Sequence, residues 1–267
     1  LALPAAPRTT LGVLAAALRL RRAAKAPVTL LSCDNLPSNG KTLQKLLGQF
    51  VAETDRDLAR WIDANVAFPC SMVDRIVPTP TAADRADIGA RLGVDDAASV
   101  VGEPFTQWVV EDRFLAGRPD WHAVGVEFVG DVEPYERMKL RLLNGAHSTL
   151  AYLGYLAGHP TIAAAANDDR LRAVARGVMA ESAATLDGPA GVDLERYRES
   201  LIARFRNAAL PHTTAQVAMD GSQKLPQRLL APLRARLAAG REVRLLSLAV
   251  AGWMRFAMGK DEREAKI

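Results

Sequence analysis

Lys139, Asn144 and His147 fall within one short stretch, Met138-Lys139-Leu140-Arg141-Leu142-Leu143-Asn144-Gly145-Ala146-His147-Ser148. At about 100° per α-helical residue, Asn144 lies roughly 140° from Lys139, and His147 lies between them at roughly 80°. Three polar groups thus share one side of a helix otherwise rich in Leu and Met. Lysine ionises near about 10.4, and burial among apolar neighbours lowers that value until the amine is a base usable near neutrality. Such a base takes the proton of a secondary alcohol while hydride leaves the same carbon; in reverse it protonates the alkoxide formed from a ketone. An asparagine amide suits the developing alkoxide because it donates without bringing a competing acidic proton. His147, one turn beyond Asn144, can orient a substrate hydroxyl or tune the lysine. The bland alternative keeps Lys139 snorkelling to solvent and His147 as a hydrogen-bonded core residue.

Two further constellations carry polar groups. Ser32-Cys33-Asp34-Asn35 follows a short apolar run, Val28 to Cys33, that reads as a buried strand. Ligands of open α/β sheets collect outside the carboxyl ends of strands, although an Asx turn alone would also explain Asp34. Asp74 ends the run Ser71-Met72-Val73 and can either pair with Arg75 or contact a polyol. The stretch from Met219 to Arg228 holds Asp220-Gly221-Ser222 at the start of a helix, with Lys224 and Arg228 nearby to favour an anion. Helix capping would account for the Asp-Gly-Ser part without a ligand.

The elements that must position these residues change character along the chain. Helices are expected at 10–25, 41–53, 55–65 and 82–92, and strands at 28–33, 71–77, 105–110 and 124–129. That alternation is the mark of an open α/β sheet. From Asp131 onward only helices are expected, at 131–157, 168–186, 191–207, 225–239 and 242–258. The fold class is therefore an α/β remnant of a Rossmann-type domain over 1–130, followed by an all-α domain over 131–267, and predominantly helical overall.

Composition narrows the function. With 49% hydrophobic and 24% charged residues, the 267-residue chain is an ordinary globular one. A net charge of +4, spread along the chain apart from Arg19, Arg21, Arg22 and Lys25, gives no basic stripe for nucleic acid. No apolar run approaches the roughly 18 residues that a membrane span needs. The positive charges follow the apolar stretch Leu11–Leu18, the reverse of a signal peptide. Two cysteines, Cys33 and Cys70, make no disulfide framework, and a reducing cytoplasm is the simpler setting. Four histidines without HExxH or CxxC spacing exclude a typical zinc site, so no metal is expected.

At these residues the chain resembles the mannitol dehydrogenase family of long-chain, polyol-specific dehydrogenases. The resemblance rests on Leu31 to Pro37, on Phe68-Pro69-Cys70-Ser71-Met72-Val73-Asp74-Arg75-Ile76-Val77-Pro78, on Lys139 to His147 and on Ala218 to Leu230. Arg118-Pro119-Asp120-Trp121, Gln223 to Arg228 and Ala251-Gly252-Trp253-Met254-Arg255 are most similar to the branch that reduces fructuronate to mannonate. The resemblance implies NAD as cofactor and a small sugar acid or polyol as substrate. It makes Lys139 the general acid/base, Asn35 and Asn144 the amide pair on the reacting oxygen, and His147, Asp74 and Lys224 substrate contacts. It also implies a monomer without nucleic-acid or membrane partners.

Two departures accompany it. The glycine-rich fingerprint that binds the dinucleotide has no counterpart here, so the cofactor-binding residues are expected upstream of Leu1. The chain then looks like the C-terminal portion of a longer enzyme, with a sheet edge and apolar surface exposed. Pro211 and Thr213 also stand beside His212 where the fructuronate branch implies arginines. That favours a neutral polyol such as mannitol, oxidised to fructose, as the alternative substrate. A different class of reading is a catalytically silent helical interaction module.

Overall fold

The computed structural model describes residues 7–259. Two compact units share the chain: 1–74 with 106–133, and 75–105 with 134–267. The first is the α/β part.

In that unit α1 (Thr10–Ala23) starts where the Thr9 hydroxyl accepts the Gly12 amide at 3.1 Å, an N-cap of the usual Ser/Thr kind. α2 (Asn39–Ala52) and α3 (Arg56–Asn65) follow, with Asp55 capping α3 through the Leu58 amide at 2.9 Å. Arg19 and Arg22 of α1 reach the same Asp55 carboxylate, whose pKa is held low first by the cap bond and then by these arginines. Leu18, Leu47, Val51, Leu58, Ile62 and Phe68 form the core between these elements. Val13 and Leu20 of α1, and Leu46 and Phe50 of α2, remain exposed.

β1 (Val28–Thr29) pairs in parallel with β2 (Val66–Ala67). β3 (Ser71–Asp74) runs antiparallel to β4 (Gln107–Glu111), which is parallel to β5 (Val126–Val129). The strand expected over 28–33 is thus mostly not a strand. The Leu30 amide makes one more bond to the Ala67 carbonyl, and the backbone then leaves the ladder for a loop.

The second unit opens with α4 (Ala82–Leu92), set by a reciprocal Thr81–Asp84 capping box and stopped by Gly93 at φ 71°. α5 (Glu133–Met138), a π-helical turn (Lys139–Asn144) and α6 (Gly145–Leu156) then form one continuous helix. Residues 145–152 of α6 are all buried, as a central helix packed on every side requires. Around it stand α7 (Ile162–Asn167), α8 (Asp169–Ala183), α9 (Leu194–Phe205), α10 (Thr214–Ala218) and α11 (Gly221–Leu225). A second π-helical turn (Pro226–Leu230) leads into α12 (Ala231–Ala238), and α13 (Arg244–Ala257) ends the described chain. Met138, Leu142, Leu150, Met179, Leu201 and Leu229 belong to the single core of this unit. The Rossmann-like part with few strands and the helical part agree with the fold class read from the sequence.

Candidate functional site

The segment carrying Lys139 is not a regular α-helix. The Gly145 amide bonds to the Leu140 carbonyl five residues back, so the helix widens by one residue over Lys139–Asn144. A π turn takes about 4.4 residues, so Asn144 falls within roughly 50° of Lys139, where a regular helix would set it roughly 140° away. Lys139 is 6% exposed, and Met138, Leu142 and Leu143 around it are buried.

Gly145 lets the chain come close to its neighbour there. A Cβ would stand 3.1 Å from the Arg228 carbonyl oxygen, on the second π turn. That turn has a local cause: Pro226 has no amide to offer, and its carbonyl takes the Ala231 amide five residues on. Two π turns thus pack together at the point where the polar residues gather.

His147 is buried, and its ring lies on that of Phe205 with centroids 5.2 Å apart and planes at 25°. The His212 ring meets it edge-on at 5.2 Å. Burial, then the charges of His212, Arg228, Arg204 and Lys224, push the His147 pKa well below 6.5. The imidazole is neutral at physiological pH, with one nitrogen donating and the other accepting. His147 Nε2 and His212 Nδ1 are buried without a hydrogen-bond partner. Both line a small cavity with Ile76, Ile162, Arg204 and Phe205 that has room for about one water molecule. Unsatisfied imidazole nitrogens beside such a space suit a hydroxyl group from outside the protein.

Arg204 is held in place from α9 by Glu103. Its Nη2 and Nε donate to the two carboxylate oxygens at 2.7 and 3.0 Å. Glu103 also accepts the Ile76 amide at 2.7 Å, and the guanidinium sits 4.0 Å over the Phe105 ring. Nothing in local sequence marks this pair, whose members stand 101 positions apart.

Lys224 donates to the Met219 carbonyl at 2.6 Å and lies 3.8 Å from the Asp220 carboxylate. Burial and the neighbouring Arg228 lower its pKa, while Asp220 acts the other way. Arg228 donates from Nη1 to the Ser148 hydroxyl at 3.1 Å, and its Nε is buried without a partner. Asp220 precedes Gly221–Leu225 at φ 57° and makes no side-chain cap bond to it. Glycine at 221 answers a packing need, since a Cβ would lie 2.3 Å from Trp253 Nε1 and 2.6 Å from the Tyr152 hydroxyl.

Asn35 and Asp74 belong to the other unit. Asn35 is exposed in the loop after β1, and Asp74 is buried at the end of β3. The loop owes its shape to Asn39, which sequence reading passed over. Its buried amide nitrogen donates to the carbonyls of Ser32, Asp34 and Ser71 at 2.9–3.0 Å, and its oxygen accepts the Ser71 amide at 2.9 Å. Arg75, suggested as a partner for Asp74, directs Nε to the Glu103 carbonyl at 2.8 Å. Cys33 is exposed and Cys70 buried, and neither is in a disulfide. Thr213, one of the two departures beside His212, caps α10 reciprocally with Gln216. Among the described residues no cluster of His, Cys, Asp and Glu could hold a metal ion, and no helix is long and apolar enough to cross a membrane.

Comparison with known proteins gives a consistent picture. Residues 4–123 match the family model of the mannitol dehydrogenase Rossmann domain, and 131–267 that of the mannitol dehydrogenase C-terminal domain. The D-mannonate oxidoreductase of Escherichia coli K12 is 50% identical over 262 residues, covering 97% of this chain and 54% of that protein. The structure of Pseudomonas fluorescens mannitol 2-dehydrogenase, a ternary complex with NAD and D-mannitol, superposes with a TM-score of 0.87 at 42% identity. It covers 98% of this chain and 54% of that one. A substrate-free D-sorbitol dehydrogenase superposes at 0.88 with 35% identity, over 98% of this chain and 54% of its own. The chain spans about half the length of these relatives.

Proposed function

This chain belongs to the mannitol dehydrogenase family, and we propose that it serves the NAD-dependent interconversion of a secondary alcohol and a ketone on an acyclic sugar derivative. The observation that carries the reading is the buried Lys139 on a π turn that sets Asn144 on the same face.

In this reading the Lys139 amine takes the alcohol proton, or returns it to the alkoxide, and the Asn144 amide donates to the oxygen as it gains charge. The neutral His147 orients a neighbouring hydroxyl through Nε2. Asn35 and Asp74 keep the roles that the family resemblance gives them, a second amide donor and a substrate contact, and Lys224 is a further substrate contact. The nicotinamide, when bound, supplies or accepts the hydride. Of the described residues, the loop Ser32–Asn35 at the carboxyl end of the parallel pair β1–β2 fits that cofactor, because Asn39 ties the loop backbone to β3 and Asn35 is exposed.

D-fructuronate and D-mannonate are the leading substrate pair, supported by the 50% identity to a D-mannonate oxidoreductase. D-mannitol and D-fructose form the second pair, favoured by Pro211 and Thr213 in place of arginines. We place the reaction in the cytoplasm, carried out by a monomer with small-molecule partners alone. The test is NADH consumption by the full-length protein, offered D-fructuronate and D-fructose separately. Turnover of fructuronate alone upholds the leading pair, and preference for fructose moves the assignment to the second. Silence with both removes the dehydrogenase reading and leaves a helical interaction module.

A further inference from the structure

The charged side chains that lower the His147 pKa, Arg204, Lys224 and Arg228, are cations, and one of them is not neutralised by the described residues. Arg204 has Glu103, and Lys224 has Asp220 with the Met219 carbonyl. Arg228 has neither carboxylate nor backbone carbonyl among the described residues. Its one hydrogen bond goes to the Ser148 hydroxyl, and its Nε is buried with no partner. The one acidic group that acts on it is the Tyr152 phenol, itself pushed up to about 12 by burial and so uncharged. A guanidinium N–H sealed from water without a partner is costly, and functional sites are where such costs persist.

Its position says what the anion is for. Arg228 lies one helical turn beyond Lys224 and bonds the residue next to His147, so it stands among the side chains read above as substrate contacts. It has a planar fork of donors with Nε still unused, the geometry that grips a carboxylate at two points. We propose that Arg228 binds the terminal carboxylate of a sugar-acid substrate and makes this enzyme prefer an aldonate over the neutral polyol. The inference rests on the dehydrogenase reading and deepens it: Pro211 and Thr213 need not be arginines when the charge comes from the second π turn.

The test uses Arg228→Gln and Arg228→Lys in the full-length enzyme, with D-fructuronate and D-fructose as substrates and NADH as cofactor. Loss of one charged hydrogen bond corresponds to about 10- to 100-fold. Arg228→Gln is expected to lose that much in kcat/KM for fructuronate, chiefly through KM, with fructose changed less than about threefold. Arg228→Lys keeps the charge without the fork and is expected to fall between parent and Gln; it decides the matter if the Gln variant does not fold. Equal losses on both substrates would show that Arg228 only braces Ser148 and would overturn the proposal. A raised KM for NADH with unchanged substrate preference would assign the charge to a cofactor phosphate and overturn it too. If the parent enzyme turns over neither substrate, the dehydrogenase reading fails separately, and thermal shift decides the Arg228 claim. D-mannonate must then stabilise the parent more than D-mannitol does, and that difference must vanish in Arg228→Gln.

Discussion

Glu103 and Arg204 form a two-point ion pair with N···O distances of 2.7 and 3.0 Å and exposures of 2% and 8%. The pair joins the segment before β4 to the last turn of α9, whose final residue, Phe205, carries the His147 ring. A sealed pair of this kind contributes little net stability when intact, but removing one partner leaves an uncompensated charge in a dry site.

Glu103→Gln is therefore expected to destabilise the fold by about 3–5 kcal/mol in urea denaturation. The double variant Glu103→Gln with Arg204→Met should recover much of that loss, because no lone charge remains. A single-variant loss under about 1 kcal/mol would show that the pair is solvated.

The histidines make a pH prediction whose sign follows from burial. Burial first, and then His212 and nearby cations, hold the His147 pKa below its unfolded value near about 6.5; burial and Lys224 act on His212 in the same direction. Below about pH 6.5 the unfolded chain takes up protons that the folded one refuses. Stability is then complete above that pH and is lost as the pH falls. The expected Tm is flat above about pH 7 and declines toward pH 5, and His147→Asn should flatten the decline. A Tm that rises on acidification would contradict the buried, neutral imidazole.

Much of this arrangement was legible in the residues, and what was not had physical causes. The helices of the second half announce themselves through apolar periodicity, and α8, α9 and α13 lie within a few residues of the expected bounds. Lys139, Asn144 and His147 stood out because such polar residues are rare in a helix this apolar. The π turn did not, since periodicity assumes a constant angle per residue and a single inserted residue leaves no compositional trace. Short elements held by tertiary contacts, such as β2, α7 and α10, carry too few residues to show a pattern. Asn39 reads as a loop residue, yet its amide ties four backbone groups across 32 positions of sequence. Such roles depend on long-range closure, which no window of sequence contains.

The central claim is that the buried Lys139 amine handles the proton of the reacting hydroxyl. Its most direct test is steady-state turnover and NADH binding for Lys139→Ala in the full-length enzyme, beside the parent. General acid/base catalysis is worth roughly 10²- to 10⁴-fold, so kcat should fall by at least about 100-fold while NADH affinity stays within about twofold. Turnover near the parental rate would remove Lys139 from the chemistry.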